Sequence, residues 1–164
     1  MKVLVPLDDA QLLEQVVEFI IAQNLPAETH FRLLHVIEFQ PDEVALSCSS
    51  EVHVFLQQQT KAAEDLLTRA EKLIVKHYPR ASCTLSVVQG LPVESILEAA
   101  TQWQPDLLVI GSHNRKGLAH FFLGSVAEAV SKSCNCSVAL IRRKESRLAT
   151  PSTAVELDTR PIAL

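Results

Sequence analysis

The sequence predicts an α/β fold: a single domain on an open, parallel, five-stranded sheet with helices on both faces. Three observations lead there. Five short runs rich in Val, Leu and Ile lack the strict alternation of a half-exposed strand, as expected where both faces of a sheet are covered. Between them lie segments of helical length with apolar residues at steps of three and four, and that order implies right-handed crossovers. The chain has 164 residues, 48% of them hydrophobic, with few Gly, Pro or aromatic residues, so it can bury one sizeable core.

Lys2 to Leu7 reads as the first covered strand. Asp8 and Asp9 follow where a helix should begin, and their carboxylates can accept the free N–H groups of a first turn. From Leu12, the residues Leu13, Val16, Val17, Ile20 and Ile21 recur at helical spacing until Asn24 to Pro26 closes the element. Phe31 to Phe39 is the second strand, and the polar, serine-rich stretch Pro41 to Ser50 a surface loop. A long helix then carries the seam Leu56, Thr60, Ala63, Leu67, Ala70, Ile74 and His77, stopped by Pro79.

Ser82 to Gln89 is the third strand. Gly90-Leu91-Pro92 is a tight connection, and Pro92 suits a first helical turn because the N–H it lacks would be unpaired there. Ile96, Leu97, Ala100 and Trp103 form the buried face of the next helix, which ends before Pro105. Leu107 to Ile110 is the central strand, Gly111 to His120 a glycine-containing basic loop, Phe121 to Ser133 a helix, and Ser137 to Ile141 the last strand. Gly124 near the start of that helix would cost about 1 kcal/mol in a helix interior, so it needs a reason. Residues 1–143 form the domain, and 144–164, with Pro151 and Pro161, a C-terminal tail that is partly disordered or laid across a neighbour.

Composition excludes several classes. The net charge of -4 argues against an electrostatic nucleic-acid binder, and the basic run Arg142, Arg143, Lys144, Arg147 reads as a solvated edge or a small functional patch. The apolar run at the N-terminus stops at Asp8 and Asp9, too early for a signal peptide, and no window approaches a membrane span, so the expectation is a cytoplasmic protein with no membrane partner. Cys48, Cys83, Cys134 and Cys136 are expected as reduced thiols. Cys134-Asn135-Cys136 lacks the two-residue spacing of a redox motif or a zinc knuckle, no second cysteine pair follows it, and no metal site is expected.

In an open parallel sheet, ligands bind beyond the carboxyl ends of the strands near the point where strand order reverses. That rule gathers Pro6 to Asp8, His35 to Glu38, and the segment G-S-H-N-R-K-G-L-A-H-F-F-L-G-S-V from Gly111 to Val126. Glycines at 111, 117 and 124 either let backbone approach a ligand or simply make turns. Gly124-Ser125 at a helix start would offer N–H groups and a hydroxyl to a phosphate, with Arg115 and Lys116 as counter-charge. Neither G-x-x-x-x-G-K-[ST] nor a G-x-G-x-x-G turn is present, which disfavours a P-loop enzyme and a dinucleotide-dependent dehydrogenase.

The motifs Val3-Leu4-Val5-Pro6-Leu7-Asp8, Leu34-His35-Val36-Ile37 and Gly90-Leu91-Pro92 occur in that order. Asp106 through His113, Arg115, Gly117-Leu118, Leu123 through Glu128 and Cys136-Ser137-Val138 follow them. With this spacing over residues 1–143 the chain resembles the universal stress protein family. The resemblance implies strand order 3-2-1-4-5 of the adenine nucleotide α-hydrolase type. It also implies a homodimer through antiparallel pairing of the last strands, here Val138 to Ile141, with a higher oligomer and a further protein partner left open. The ATP-binding branch of the family carries G-x-x-G, nine residues, then G-[ST]; Gly111 and Gly124-Ser125 fall in register, with Asn114 in place of the second glycine. Asn tolerates positive φ best among non-glycine residues. Asp8-Asp9-Ala10 replaces the common Asp-Gly-Ser, placing the Asp9 charge near a triphosphate, which disfavours it unless Mg²⁺ is bound.

Carried over by position, adenosine would lie against Pro6, Leu7, Asp8, Val36 and Ile110, and phosphates against Gly111, Asn114, Arg115, Gly124, Ser125 and Val126. The expected ligand is ATP or another adenine nucleotide, with or without Mg²⁺. No catalytic residue is expected: Ser112 and Ser125 have no His–Asp partner set, and His30, His53 and His77 suggest no base. His35 reads as a strand residue with a satisfied ring, and His113 and His120 as phosphate contacts or loop residues. The expectation is a stress-response sensor in which nucleotide orders the loop after the fourth strand, with little or no turnover. The rivals are a dimeric scaffold that binds no nucleotide and a slow Mg-dependent ATPase. Electron-transfer flavoproteins and larger nucleotide-loading enzymes of this fold class fit poorly.

Overall fold

A computed structural model describes residues 1–38, 50–112 and 124–142, with backbone alone over 50–52. Among them the order is β1 (Lys2–Pro6), α1 (Ala10–Ala22), β2 (His30–Glu38), α2 (Ser50–His77), β3 (Ser82–Gly90), α3 (Pro92–Trp103), β4 (Leu107–Ser112), α4 (Ser125–Ser133) and β5 (Ser137–Arg142). The strands form one parallel sheet in the order β3-β2-β1-β4-β5, with helices on both faces, as expected.

Alternation along each strand sorts the core into two layers. Val3, Val5, Leu33 and Val109 face α1 and α2, where Leu13, Val16, Ile20, Leu67, Ala70 and Ile74 close the first cluster. Leu4, Leu34, Leu108 and Ile110 face α3 and α4 and meet Ile96, Ala100, Ala127 and Val130. Both sides of β1 and β4 are therefore apolar, which is why their sequences read as continuous runs. Phe31 is among the largest fully buried side chains, and truncating such a group to Ala costs about 3–5 kcal/mol.

The helix ends follow local chemistry. Asp9, at φ -138° and ψ 135°, is the N-cap of α1, its carboxylate accepting the Gln11 N–H at 2.8 Å. Asn24 turns the chain away at φ 48°, a conformation Asn tolerates. Pro92 occupies the first turn of α3, and Gln104 ends that helix in the left-handed region at φ 49°, just before Pro105. Tyr78 ties α2 to α1: its hydroxyl donates to the Ile20 carbonyl and accepts the Leu25 N–H, each at 3.2 Å.

At the amino end of the sheet Trp103 is held between two cations. The Arg32 guanidinium lies 4.8 Å from the ring centroid and the Lys2 ammonium 5.7 Å, the latter also donating to the Trp103 carbonyl at 3.1 Å. The Arg32 Nε is buried without a hydrogen-bond partner among the described residues.

Three expectations are corrected. Gly111 and Ser112 belong to β4 rather than to a loop, because they continue the ladder with Ile141 and Arg142. Gly124 is the N-cap of α4, outside the helix interior, so the glycine penalty does not arise. His77 is exposed, touching Tyr78 edge-on at 4.9 Å, so the buried seam of α2 ends at Ile74. The expected tail 144–164, the expected Pro41 to Ser50 loop as far as residue 49, the rest of the basic loop at 113–120 and residues 121–123 lie outside the described residues.

Candidate functional site

The strand order reverses between β1 and β4, and there the pairing is short. These two strands pair only at Val3 with Leu107 and Leu4 with Leu108, whereas β1 pairs with β2 as far as Pro6 with Leu34 and β4 with β5 as far as Ser112 with Arg142. The reason is readable in the backbone. The Lys2 carbonyl accepts the Asp106 N–H and the Leu7 N–H donates to the Leu34 carbonyl, so even residues of β1 face β4 and odd ones β2. Pro6 therefore turns toward β4 the one backbone position with no N–H to give, and the ladder stops. Beyond Leu4 and Leu108 the sheet is unzipped at its switch point.

The far wall of this opening is the end of β4. Gly111 faces α1, where a Cβ would stand 2.9 Å from Leu12 Cδ1. The glycine is thus needed for packing α1 on the strand, with Leu12 filling the space of its missing side chain. Ser112 faces the other way, is buried, and its Oγ accepts the Gly124 N–H at 3.1 Å. Glu128 N–H makes the first intrahelical bond of α4, to the Gly124 carbonyl at 2.9 Å. Ser125, Val126 and Ala127 then hold the N–H groups that no earlier turn can take, at the positive end of the helix dipole.

The near wall is the end of β1. His35 Nδ1 lies 2.7 Å from the Leu7 carbonyl, which can only accept, so Nδ1 carries the proton and the imidazole pins the backbone just before Asp8. The ring is satisfied, as expected of it. Asp9 caps α1, its carboxylate accepting the Gln11 N–H.

The structure thus places Pro6, Leu7 and Asp8 at the end of β1, Val36 near the end of β2, Ile110 and Gly111 at the end of β4, and Gly124, Ser125 and Val126 at the start of α4. Pro6, Leu7 and Ile110 are buried, Val36, Gly111, Gly124 and Val126 half-buried, and Asp8 and Ser125 exposed. Asn114 and Arg115, like His113 and His120, lie outside the described residues. The Gly124 N–H donates to Ser112 Oγ. Ser112 and His35 lie in the gathered segments, but the Ser112–Gly124 bond, the His35–Leu7 link and the packing of Leu12 are not foreseen by the sequence reading. The Ser112 signal was present, since it continues the register of Leu108 and Ile110 toward α4. Among the described residues no group of three or more His, Cys, Asp or Glu is placed to hold a metal, and no helix is long and apolar enough to cross a membrane.

A model of the universal stress protein family matches residues 1–142. The chain belongs to this family. Among relatives, the universal stress protein Sll1388 of Synechocystis is 29% identical over 152 residues, 86% of this chain and 97% of that one. The solved structure of MJ0577 from Methanocaldococcus jannaschii superposes with a TM-score of 0.69 at 26% identity, covering 88% of this chain and 97% of the other. An Arabidopsis thaliana family member with AMP bound shares the fold at a TM-score of 0.57 and 22% identity, covering 93% and 97%. Universal stress proteins have also been solved with dAMP, from Archaeoglobus fulgidus, and with cAMP, so members of the family bind adenine nucleotides.

Proposed function

We propose that this universal stress protein is a stress-response sensor or regulator that binds an adenine nucleotide, ATP or AMP, at the carboxyl end of the sheet with little or no turnover. The observation that carries this is the short β1–β4 ladder, which ends at Leu4 and Leu108 and leaves the strands unpaired where ligands of open α/β sheets are held. Family members with AMP, dAMP and cAMP supply the ligand class.

Adenosine would meet Pro6, Leu7, Asp8, Val36 and Ile110. The phosphates would take the N–H groups of Ser125 and Val126, with Gly111, Asn114, Arg115 and Gly124 around them. The donor set fits an anion. The ligand is taken with or without Mg²⁺, which would offset the Asp9 charge beside a triphosphate. A cytoplasmic homodimer through Val138 to Ile141 completes the reading, because β5 is an edge strand with one side unpaired among the described residues.

A second reading, a scaffold that binds no nucleotide, is favoured by two contacts: Leu12 fills the space at Gly111, and Ser112 has taken the Gly124 N–H. Calorimetric titration of nucleotide-stripped protein with ATP, with and without Mg²⁺, separates them. Saturation near one nucleotide per chain supports the sensor, and absence of heat to about 1 mM ligand, a level matching roughly -4 kcal/mol, gives the protein to the scaffold reading. Multiple-turnover loss of ATP in the same samples would identify a slow ATPase.

A further inference from the structure

The corner where α4 hands over to β5 holds two thiols. Cys134 is the C-cap of α4, its N–H bonded to the Val130 carbonyl at 2.9 Å and its backbone extended at ψ 138°. Cys136 immediately precedes β5. The chain bends at Asn135 and Cys136, which brings the two side chains together, and both pack against the α3–α4 side of the core. Their sulfurs stand 3.2 Å apart, one S–H directed at the other sulfur. Closing a bond of about 2 Å needs an approach of little more than 1 Å. Ser133 and Asn135 on either side are exposed, so the corner sits at the surface, whereas Cys83 packs on the opposite face of the sheet.

We propose that Cys134 and Cys136 form a reversible dithiol–disulfide site that exchanges with low-molecular-weight disulfides of the glutathione type. The Cys134 thiolate attacks one sulfur of the small disulfide, forming a mixed disulfide and releasing one thiolate. The Cys136 thiol then loses its proton to solvent and attacks the Cys134 sulfur, closing the intramolecular bond and releasing the second thiolate. The protein gives up two electrons, the small disulfide is reduced by two, and two small thiols leave once the thiolates are protonated. The order of attack follows from the surroundings. Burial first, and the hydrogen bond with Cys134 second, push the Cys136 thiol up to about 12, so at neutral pH it keeps its proton and acts as the second, resolving group.

The chain offers a convenient readout, because trypsin cutting after Lys132 and Arg142 puts both cysteines in one peptide, 133–142. Full-length protein is equilibrated in buffers of graded reduced and oxidised glutathione, quenched with acid, digested and weighed. The expected result is a peptide lighter by two hydrogens as the oxidised share rises, restored by dithiothreitol. Cys136→Ser should stop at glutathione attached to Cys134, and Cys134→Ser should leave Cys136 unmodified. The proposal is overturned by a wild-type peptide that stays a dithiol at every ratio, that stops at the mixed disulfide, or that links to a second chain.

Discussion

Ser112 Oγ accepts the backbone N–H of Gly124 at 3.1 Å, joining the last residue of β4 to the N-cap of α4 twelve positions later. The bond is part-buried and fixes where the helix begins relative to the strand end. Ser112→Ala should lower stability by about 1 kcal/mol, because the Gly124 N–H loses its partner in a part-buried site. The urea midpoint read by circular dichroism measures it. An unchanged midpoint would mean that water replaces the hydroxyl at no cost.

Pro6→Ala supplies the missing donor. With an N–H aimed at β4, the β1–β4 ladder can extend by one bond beyond Leu4 and Leu108. The expected outcome is a gain of about 0.5–1.5 kcal/mol, offset in part by the freer unfolded chain, together with weaker nucleotide binding as the opening narrows. Denaturation and calorimetry on the same sample test both halves, and slower amide exchange at residue 6 would report the new bond.

Gly111→Ala places a methyl group 2.9 Å from Leu12 Cδ1. Because that atom ends a flexible side chain, the cost should sit near the lower end of the 1–3 kcal/mol range for overpacking. In a Leu12→Ala background the same change should cost about 1 kcal/mol less, since the methyl then enters vacated space. Additive costs in the double-mutant cycle would show that the glycine serves something other than this packing.

Alkaline pH should loosen the fold through Cys83. Burial first, then the Glu71 carboxylate, push its thiol from 9.0 up to about 11. The folded state therefore favours the protonated thiol. This contribution is whole below about pH 9 and fades as pH rises to about 11, because the unfolded chain releases the proton sooner. Cys83→Ala should flatten the fall in urea midpoint between those pH values; an identical fall in the variant would place the effect elsewhere, with Cys136 the next group to test.

The fold was legible because each element obeyed one local rule. Covered strands such as Val3-Leu4-Val5 read as apolar runs, α1 and α3 kept helical spacing, and Pro92 and Pro105 marked boundaries where the structure has them. What was misread lies where tertiary pairing overrides local composition. Gly111-Ser112 looks like the start of a loop, yet β5 extends the ladder through both residues. His77 keeps the spacing of the seam but falls on the last turn of α2, past the edge of the core. At the site, the collection of strand ends followed from topology, while the Ser112–Gly124 bond and the Leu12 packing depend on distances that spacing alone does not contain.

Trp103, clasped by Arg32 and Lys2, is the chain's one tryptophan, and it stands at the end of the sheet away from the candidate nucleotide site. Its emission is therefore a reporter of unfolding at the amino edge, quenched or shifted when those cations leave the ring. A ligand that changes this signal must do so by altering the sheet as a whole. Fluorescence titration consequently measures transmitted change in this protein, and a silent tryptophan alongside calorimetric saturation would describe occupancy that stays local.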